Sequence, residues 1–537
     1  MLATLDGGLS SFDYAVIAAY LAAMLSMGLV IARRQKSIDD FFVGGRNLPS
    51  WAVGISLIAS LLSTITYLGM PGEMFRTGIG FVTRQLGLPV VLLVVWFVII
   101  PFFMKLNLTS AYEYLERRFD YPTRAIAAMF CLLLLFGWIS VVVLTASKAM
   151  SEIALLDIGY FFGTNSAEHR DADMHAIILG IGMFSVLYTT LGGIRAVVWT
   201  DVIQFFVLIS GALFTMGAIA YSTNSGIGDW LAVAREYKHE QVEWFSLDIR
   251  TRSTVFTIAI GMTFWTICTH GSNQVALQRY FAVKDVWAAR RTFLVNALSS
   301  FGLGLILAGV GIALMYFIQT NDLPAKAGID SAIDSVRNES QDKIFPQFIR
   351  LYLPSGLRGL VVAALFAAAM STIDSGSNSV STIITLDFFR RLRRGQPSKK
   401  AELRLARMLT ASMGVIVVAC TVFLYHISKG TDLITLCQKG FNCFLGPLGA
   451  LFALAMFSKG STGKTVIPAL FVGEAVGVCS SYAPELFDAQ FSTHLVIATA
   501  FLSTIVADLY FVLIFDQRAS EEQQRWMWKP VVKSGEG

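Results

Sequence analysis

The sequence predicts an all-α, polytopic membrane protein of about 13 transmembrane helices, and three observations carry that prediction. Over 537 residues the chain is 55% hydrophobic and only 15% charged, against roughly 45–50% and about 25% for an ordinary globular chain. Its charges are gathered in short stretches, and the apolar runs between them are long enough to cross a bilayer, which takes about 20 residues. The basic residues recur in alternate loops, as they do when those loops share one side of a membrane. A mean hydropathy of +0.61 agrees.

Hydropathy marks thirteen segments: 12–32, 48–70, 81–104, 124–149, 175–192, 199–222, 253–272, 292–319, 357–388, 403–426, 432–457, 465–483 and 491–516. Each is expected to be helical, because the lipid core supplies no water to satisfy an open sheet edge. The first lacks a basic residue before it, so it reads as a retained span with its N-terminus outside. The odd loops are then cytoplasmic, and they hold Arg33, Arg34, Lys36 and Arg46, then Lys105, Arg117, Arg118 and Arg124. Later odd loops hold Arg279, Lys284, Arg290 and Arg291, then Arg390, Arg391, Arg393, Arg394, Lys399 and Lys400. The short even loops are poor in Lys and Arg, with Arg76 in the second and Lys429 in the tenth. The C-terminus is expected inside.

The net charge of +5 is accounted for by these basic loops rather than by nucleic-acid binding. None of the six cysteines forms a Cys-x-x-Cys pair, so neither a zinc site nor a disulfide framework is expected. No His-Glu-x-x-His, Gly-x-Ser-x-Gly or Walker pattern appears, and the six histidines are scattered. The chain is not expected to be an enzyme.

Function is sought where a segment carries groups that lipid would reject. Segment 2 holds Ser56, Ser60, Ser63, Thr64 and Thr66 beside Gly54, Gly69 and Pro71. One reading is helix packing through small residues; the other is an interrupted helix whose freed carbonyls coordinate a cation. In segment 9, Ser371, Asp374 and Ser375 stand at i, i+3 and i+4 and share one face, with Ala368 a turn earlier and Thr372 beside them. That face offers a hard cation several oxygens including a carboxylate; the alternative is a capping aspartate with no ion. Asp201, near the start of segment 6, reads either as a helix N-cap or as a buried ligand. Gly192-Gly193 reads as a tight turn between segments 5 and 6. Candidate solute contacts are Gln85, Trp138, Thr266, Thr269, His270 and Asn442, with Lys439 either snorkelling outward or binding an anionic group.

At these positions the sequence resembles the sodium/solute symporter family, which includes sodium/glucose, sialic acid and monocarboxylate cotransporters. The matching blocks are Asp39-Asp40-Phe41-Phe42 with Gly44-Gly45-Arg46, Leu48-Pro49-Ser50-Trp51, and the run from Thr109 to Phe119. Gly192 to Gln204, Gln278-Arg279-Tyr280 and Phe366 to Thr382 follow in order. The resemblance implies a LeuT-like core of two five-helix inverted repeats, 48–222 and 253–457, within a single membrane transport domain. Residues 12–32 then form an extra first helix, 465–516 two additional helices, and 517–537 a cytoplasmic tail. Segments 2 and 7 are expected to be broken near the membrane centre.

The same resemblance implies a first Na+ site at Ala59, Leu62, Ala368, Ser371 and Thr372, and a second at Asp201, Ser371, Asp374 and Ser375. Several members have serine in place of Asp374, which opens either a stronger second site or a proton acceptor. Solute is expected against Ser60, Ser63, Thr66, Gln85, Trp138, Thr266, Thr269, His270, Lys439 and Asn442. The arginine position of sialic acid transporters holds Trp138, and a threonine position holds Leu61. The expected function is sodium-coupled symport of a small organic solute by alternating access, a carboxylate before a sugar. The alternative is a proton-coupled or uncoupled transporter or channel. One or two Na+ ions, a cell-membrane location and a monomer complete the expectation.

Overall fold

The computed structural model describes residues 8–32, 38–154, 167–236, 245–320, 344–392, 399–428, 441–516 and 518–533. Every regular element among them is helical. Among the described residues nine helices are long and apolar enough to cross a membrane, and a bent pair in segment 2 makes ten. Segments 5, 7 and 11 are the ones not counted. Segment 5 lies in a helix, Ala167–Thr223, that continues into segment 6 through a departure at Gly193. Segment 7 is the helix Val255–Ser272, diluted by Thr, His and Ser. Segment 11 is the 16-residue helix Asn442–Phe457, and its expected start at 432–440 lies outside the described residues.

The expected tight turn at Gly192-Gly193 is narrower than a loop. Only Gly193 leaves helical geometry (φ 50°, ψ −166°), so segment 6 starts at once rather than at 199. That positive φ favours glycine, while a Cβ on Gly192 would lie 2.1 Å from that of Ala196. Asp201 therefore sits more than two turns into a helix, fully buried, and is not an N-cap.

Segment 2 breaks as expected, though not at its glycines or proline. The helix Ser50–Leu61 ends at Leu62 (φ −93°, ψ 107°), Ser63 is extended, and Thr64–Thr77 follows at a 66° bend. Pro71 lies inside the second half, and Gly54 packs against segment 8, where an added Cβ would meet the Thr292 carbonyl at 2.7 Å. Segment 7 breaks at its far end: Asn273 is extended (φ −80°, ψ 125°), and Gln274–Phe281 follows. The Asn273 side chain accepts from Val275 N at 2.9 Å and caps that second piece.

Segment 9, Leu357–Ile383 running into a wider π turn over Ile384–Phe389, is the most enclosed of the candidate spans. Its apolar window is 83% buried, against 28% for segment 10. It packs against segments 1, 2, 4, 5, 6 and 10, so its polar face looks into protein. The tail does not hang free. Trp528 Nε1 donates to Val98 O at 2.9 Å, Gln523 Nε2 to Phe119 O at 3.2 Å, and Arg117 lies over the Trp526 ring. Cys131, Cys268, Cys420, Cys443 and Cys479 are free thiols.

Candidate cation and solute sites

The break in segment 2 creates the first cluster. Leaving the helix at Leu62 and Ser63 deprives the Ala59 and Ser60 carbonyls of their usual donors four residues on. Segment 9 supplies replacements: Ser371 Oγ donates to Ala59 O at 2.8 Å and lies 3.2 Å from Ala368 O. Thr372 Oγ1 is 3.3 Å from both Ser60 O and Ala368 O. Ala59, Ala368, Ser371 and Thr372 are thus brought together, all buried, and Leu62 sits at the break itself. Carbonyls and hydroxyls without a fixed charge suit a hard monovalent cation.

The four residues expected to form a second site divide their described hydrogen bonds among different partners. Ser371 belongs to the first cluster. Asp374 accepts a hydrogen bond from Thr189 on segment 5. Asp201 and Ser375 do approach one another, but around a guanidinium. Arg279 NH2 lies 3.3 Å from Asp201 Oδ2 and donates to Ser60 and Ser375, while its Nε donates to Ser56 Oγ at 3.1 Å. Ser56 donates to Asp201 at 2.5 Å and Ser60 to Asp201 at 3.2 Å. Both charged residues are fully buried. Asp201 Oδ1 has no protein partner.

A cavity of about 290 Å³ opens on the other side of the break. Ser63 and Thr66 line it from segment 2, Gln85 and Trp138 from segments 3 and 4. Thr266, Thr269 and His270 face it from segment 7, and Asn442 from segment 11. His270 is also a packing residue, its Nδ1 2.6 Å from Tyr280 Oη and its ring edge-on to Phe293. Two expected contacts fall elsewhere. Ser60 is fully buried in the Asp201–Arg279 cluster and is absent from the cavity lining, because its helix turns it toward segments 6 and 9. Lys439 lies outside the described residues. Sequence reasoning missed Arg279, Thr189 and Arg84, the last a lining residue of the cavity. An arginine inside an apolar run was the available signal for Arg84.

A broken helix, hydroxyls set against its freed carbonyls and a cavity at the same break define a membrane carrier rather than an enzyme. The chain belongs to the sodium:solute symporter family, whose model matches residues 41–473. It is 30% identical over 478 residues to the sodium/sialic acid symporter of Proteus mirabilis (strain HI4320), covering 88% of this chain and 90% of that one. Its fold matches a solved, substrate-bound, outward-open sodium-coupled sialic acid symporter with a TM-score of 0.79 at 28% identity, over 95% of this chain and 99% of that one. The nucleobase-cation symporter Mhp1 shares the fold at a TM-score of 0.52 and 12% identity, over 90% of this chain and 97% of that one. The protein is therefore a multi-pass membrane protein of a plasma-membrane symporter family. It moves solute with sodium as co-substrate.

Proposed function

We propose that the protein carries one sodium ion together with a small organic carboxylate, by alternating access. The observation that carries this reading is that Ser63, at the break in segment 2, lines the cavity while the carbonyls just before it meet Ser371 and Thr372. An ion at Ala59, Leu62, Ala368, Ser371 and Thr372 and a solute at Ser63 and Thr66 then favour the same arrangement of one flexible joint. That shared preference is all that coupling requires. Two inverted repeats, 48–222 and 253–457, thirteen spans with the N-terminus outside, and a monomer belong to the same proposal. The helices found in segments 5, 7 and 11 support it.

One sodium, rather than two, follows from Arg279. Its guanidinium already neutralises Asp201 at the second position, and a second monovalent cation there would face it across a buried, poorly screened space. The unpartnered Asp201 Oδ1 favours a second reading, with two ions. Solute uptake into proteoliposomes against sodium concentration separates the two. A Hill slope of about one, abolished in Ser371→Ala, is the expected result. A slope near two would establish the second reading, and sodium-dependent uptake retained in Ser371→Ala would remove the ion assignment.

A further inference from the structure

We propose that His175 and His426 form a binding site for a transition-metal ion of the Zn2+, Ni2+ and Cu2+ class, which ties segments 5 and 10 together at one end. The site is separate from the sodium cluster on segments 2 and 9, and neither histidine lines the solute cavity. The two residues stand 251 positions apart in the chain, yet their Nε2 atoms are 3.2 Å from one another. Each is set by its helix. His175 lies near the start of Ala167–Thr223 and His426 one residue before the end of Lys399–Ile427, two helices that pack together. Tyr425, the neighbour of His426, donates its hydroxyl to Asp171 Oδ1 at 2.6 Å and stands edge-on to the His175 ring. Asp171 and His175 are four residues apart and share one helical face. The tyrosine contact therefore fixes how the two helix ends meet, and with it the spacing of the imidazoles.

Spacing and direction both suit an ion shared by the two rings. Zinc binds imidazole nitrogens at about 2.0–2.1 Å in a tetrahedral arrangement, which leaves two such nitrogens about 3.3–3.4 Å apart. The pair already stands at nearly that separation. The ring centroids are 5.3 Å apart, farther than the Nε2 atoms, so both nitrogens point inward. In the metal-free pair one Nε2 carries a hydrogen and the other accepts it. When the ion binds, that hydrogen passes to Nδ1 of its own ring, a change of tautomer without a change of charge, and both Nε2 atoms become ligands. Among the described residues no third His, Cys, Asp or Glu meets them at a common point, so water fills the remaining positions. The Asp171 carboxylate adds a favourable charge close by. Imidazole suits zinc, copper and nickel, whereas the hard ions Ca2+ and Mg2+ take oxygen ligands. His426 is exposed and His175 half-buried, so an ion reaches the pair from water.

The test uses the full-length protein in detergent, stripped of metal by a chelator and free of any polyhistidine tag. Zn2+ titrated by calorimetry is expected to bind at one ion per chain and to raise Tm, because an ion that prefers the folded form stabilises it. Affinity should rise from Mn2+ through Ni2+ to Cu2+, with Cu2+ above Zn2+, and Ca2+ should leave Tm unchanged. The paramagnetic spectrum of bound Cu2+ should show coupling to two imidazole nitrogens. His175→Ala and His426→Ala should each weaken Zn2+ binding about ten-fold or more, at least what loss of an outer-shell partner costs a metal site. Each should also lose the Zn2+-induced rise in Tm. A sodium-induced rise in Tm reports that a variant is folded, and His175→Gln or His426→Gln replaces one that is not. Equal Zn2+ binding by wild type and both variants overturns the proposal, as does a loss confined to one of them. A wild type that binds no Zn2+, or binds Ca2+ as tightly, overturns it too, and the pair is then an ordinary hydrogen bond between rings. None of these outcomes bears on the sodium assignment, which stands or falls with Ser371→Ala.

Discussion

Arg279 and Asp201 are each fully buried, and each is costly to bury alone. Removing one member of such a pair leaves an uncompensated charge, typically worth about 3–5 kcal/mol of destabilisation. Arg279→Met should therefore lower Tm sharply, and so should Asp201→Ala. The double variant should recover much of the loss, because Ser56, Ser60 and Ser375 can satisfy one another once both charges are gone. A double-mutant cycle on Tm measures this, and strictly additive losses would mean the pair is not coupled. Asp374 makes a contrast at the same scale. Its contact with the Thr189 hydroxyl needs only an acceptor, so Asp374→Asn is expected to keep sodium-dependent uptake where Ser371→Ala loses it. A proton-coupled role for Asp374 would reverse that ranking.

The break in segment 2 shows how an element can be foreseen and its cause misread. Its hydroxyl content pointed to an interruption, but Gly54, Gly69 and Pro71 drew attention away from Leu62 and Ser63, where the chain leaves the helix. Neither residue is a helix breaker. The extended conformation is stabilised by what segment 9 offers the exposed carbonyls, a partner more than 300 residues distant, which no local propensity reports. Gly54 has a different role: it lets segments 2 and 8 approach until an added Cβ would clash with the Thr292 carbonyl and Val295. Small residues at such crossings serve close packing. Gly54→Val is expected to cost about 1–3 kcal/mol through overpacking, read as a lowered Tm with the sodium requirement unchanged. Helical spacing placed Ser371, Asp374 and Ser375 on one face correctly. It could not foresee that the three side chains reach three different partners, segment 2, segment 5 and Arg279.

At the scale of the whole molecule, composition was enough to recognise a bundle of membrane helices, because the bilayer leaves so few alternatives. The solute site was less legible. Ser63, Thr66, Gln85, Trp138, Thr266, Thr269, His270 and Asn442 converge on one cavity, yet its described wall also holds Arg84, within a segment scanned for hydrophobicity rather than for charge. The docked tail was equally hidden, since Trp526 and Trp528 look like ordinary interfacial aromatics until their partners are known.

The Asp201–Arg279 pair has a bioenergetic meaning. If, as proposed, a single sodium accompanies a monoanion and the pair stays neutral, a transport cycle displaces no net charge across the bilayer. The membrane voltage then neither drives nor opposes accumulation, and the sodium concentration ratio alone sets its limit. One extra positive charge per cycle would add about 2.3 kcal/mol per 100 mV, or about 50-fold in solute concentration ratio. A potassium diffusion potential imposed on sodium-loaded vesicles should therefore leave the steady-state solute ratio unchanged. A large change with voltage would mean that two sodium ions travel with each solute.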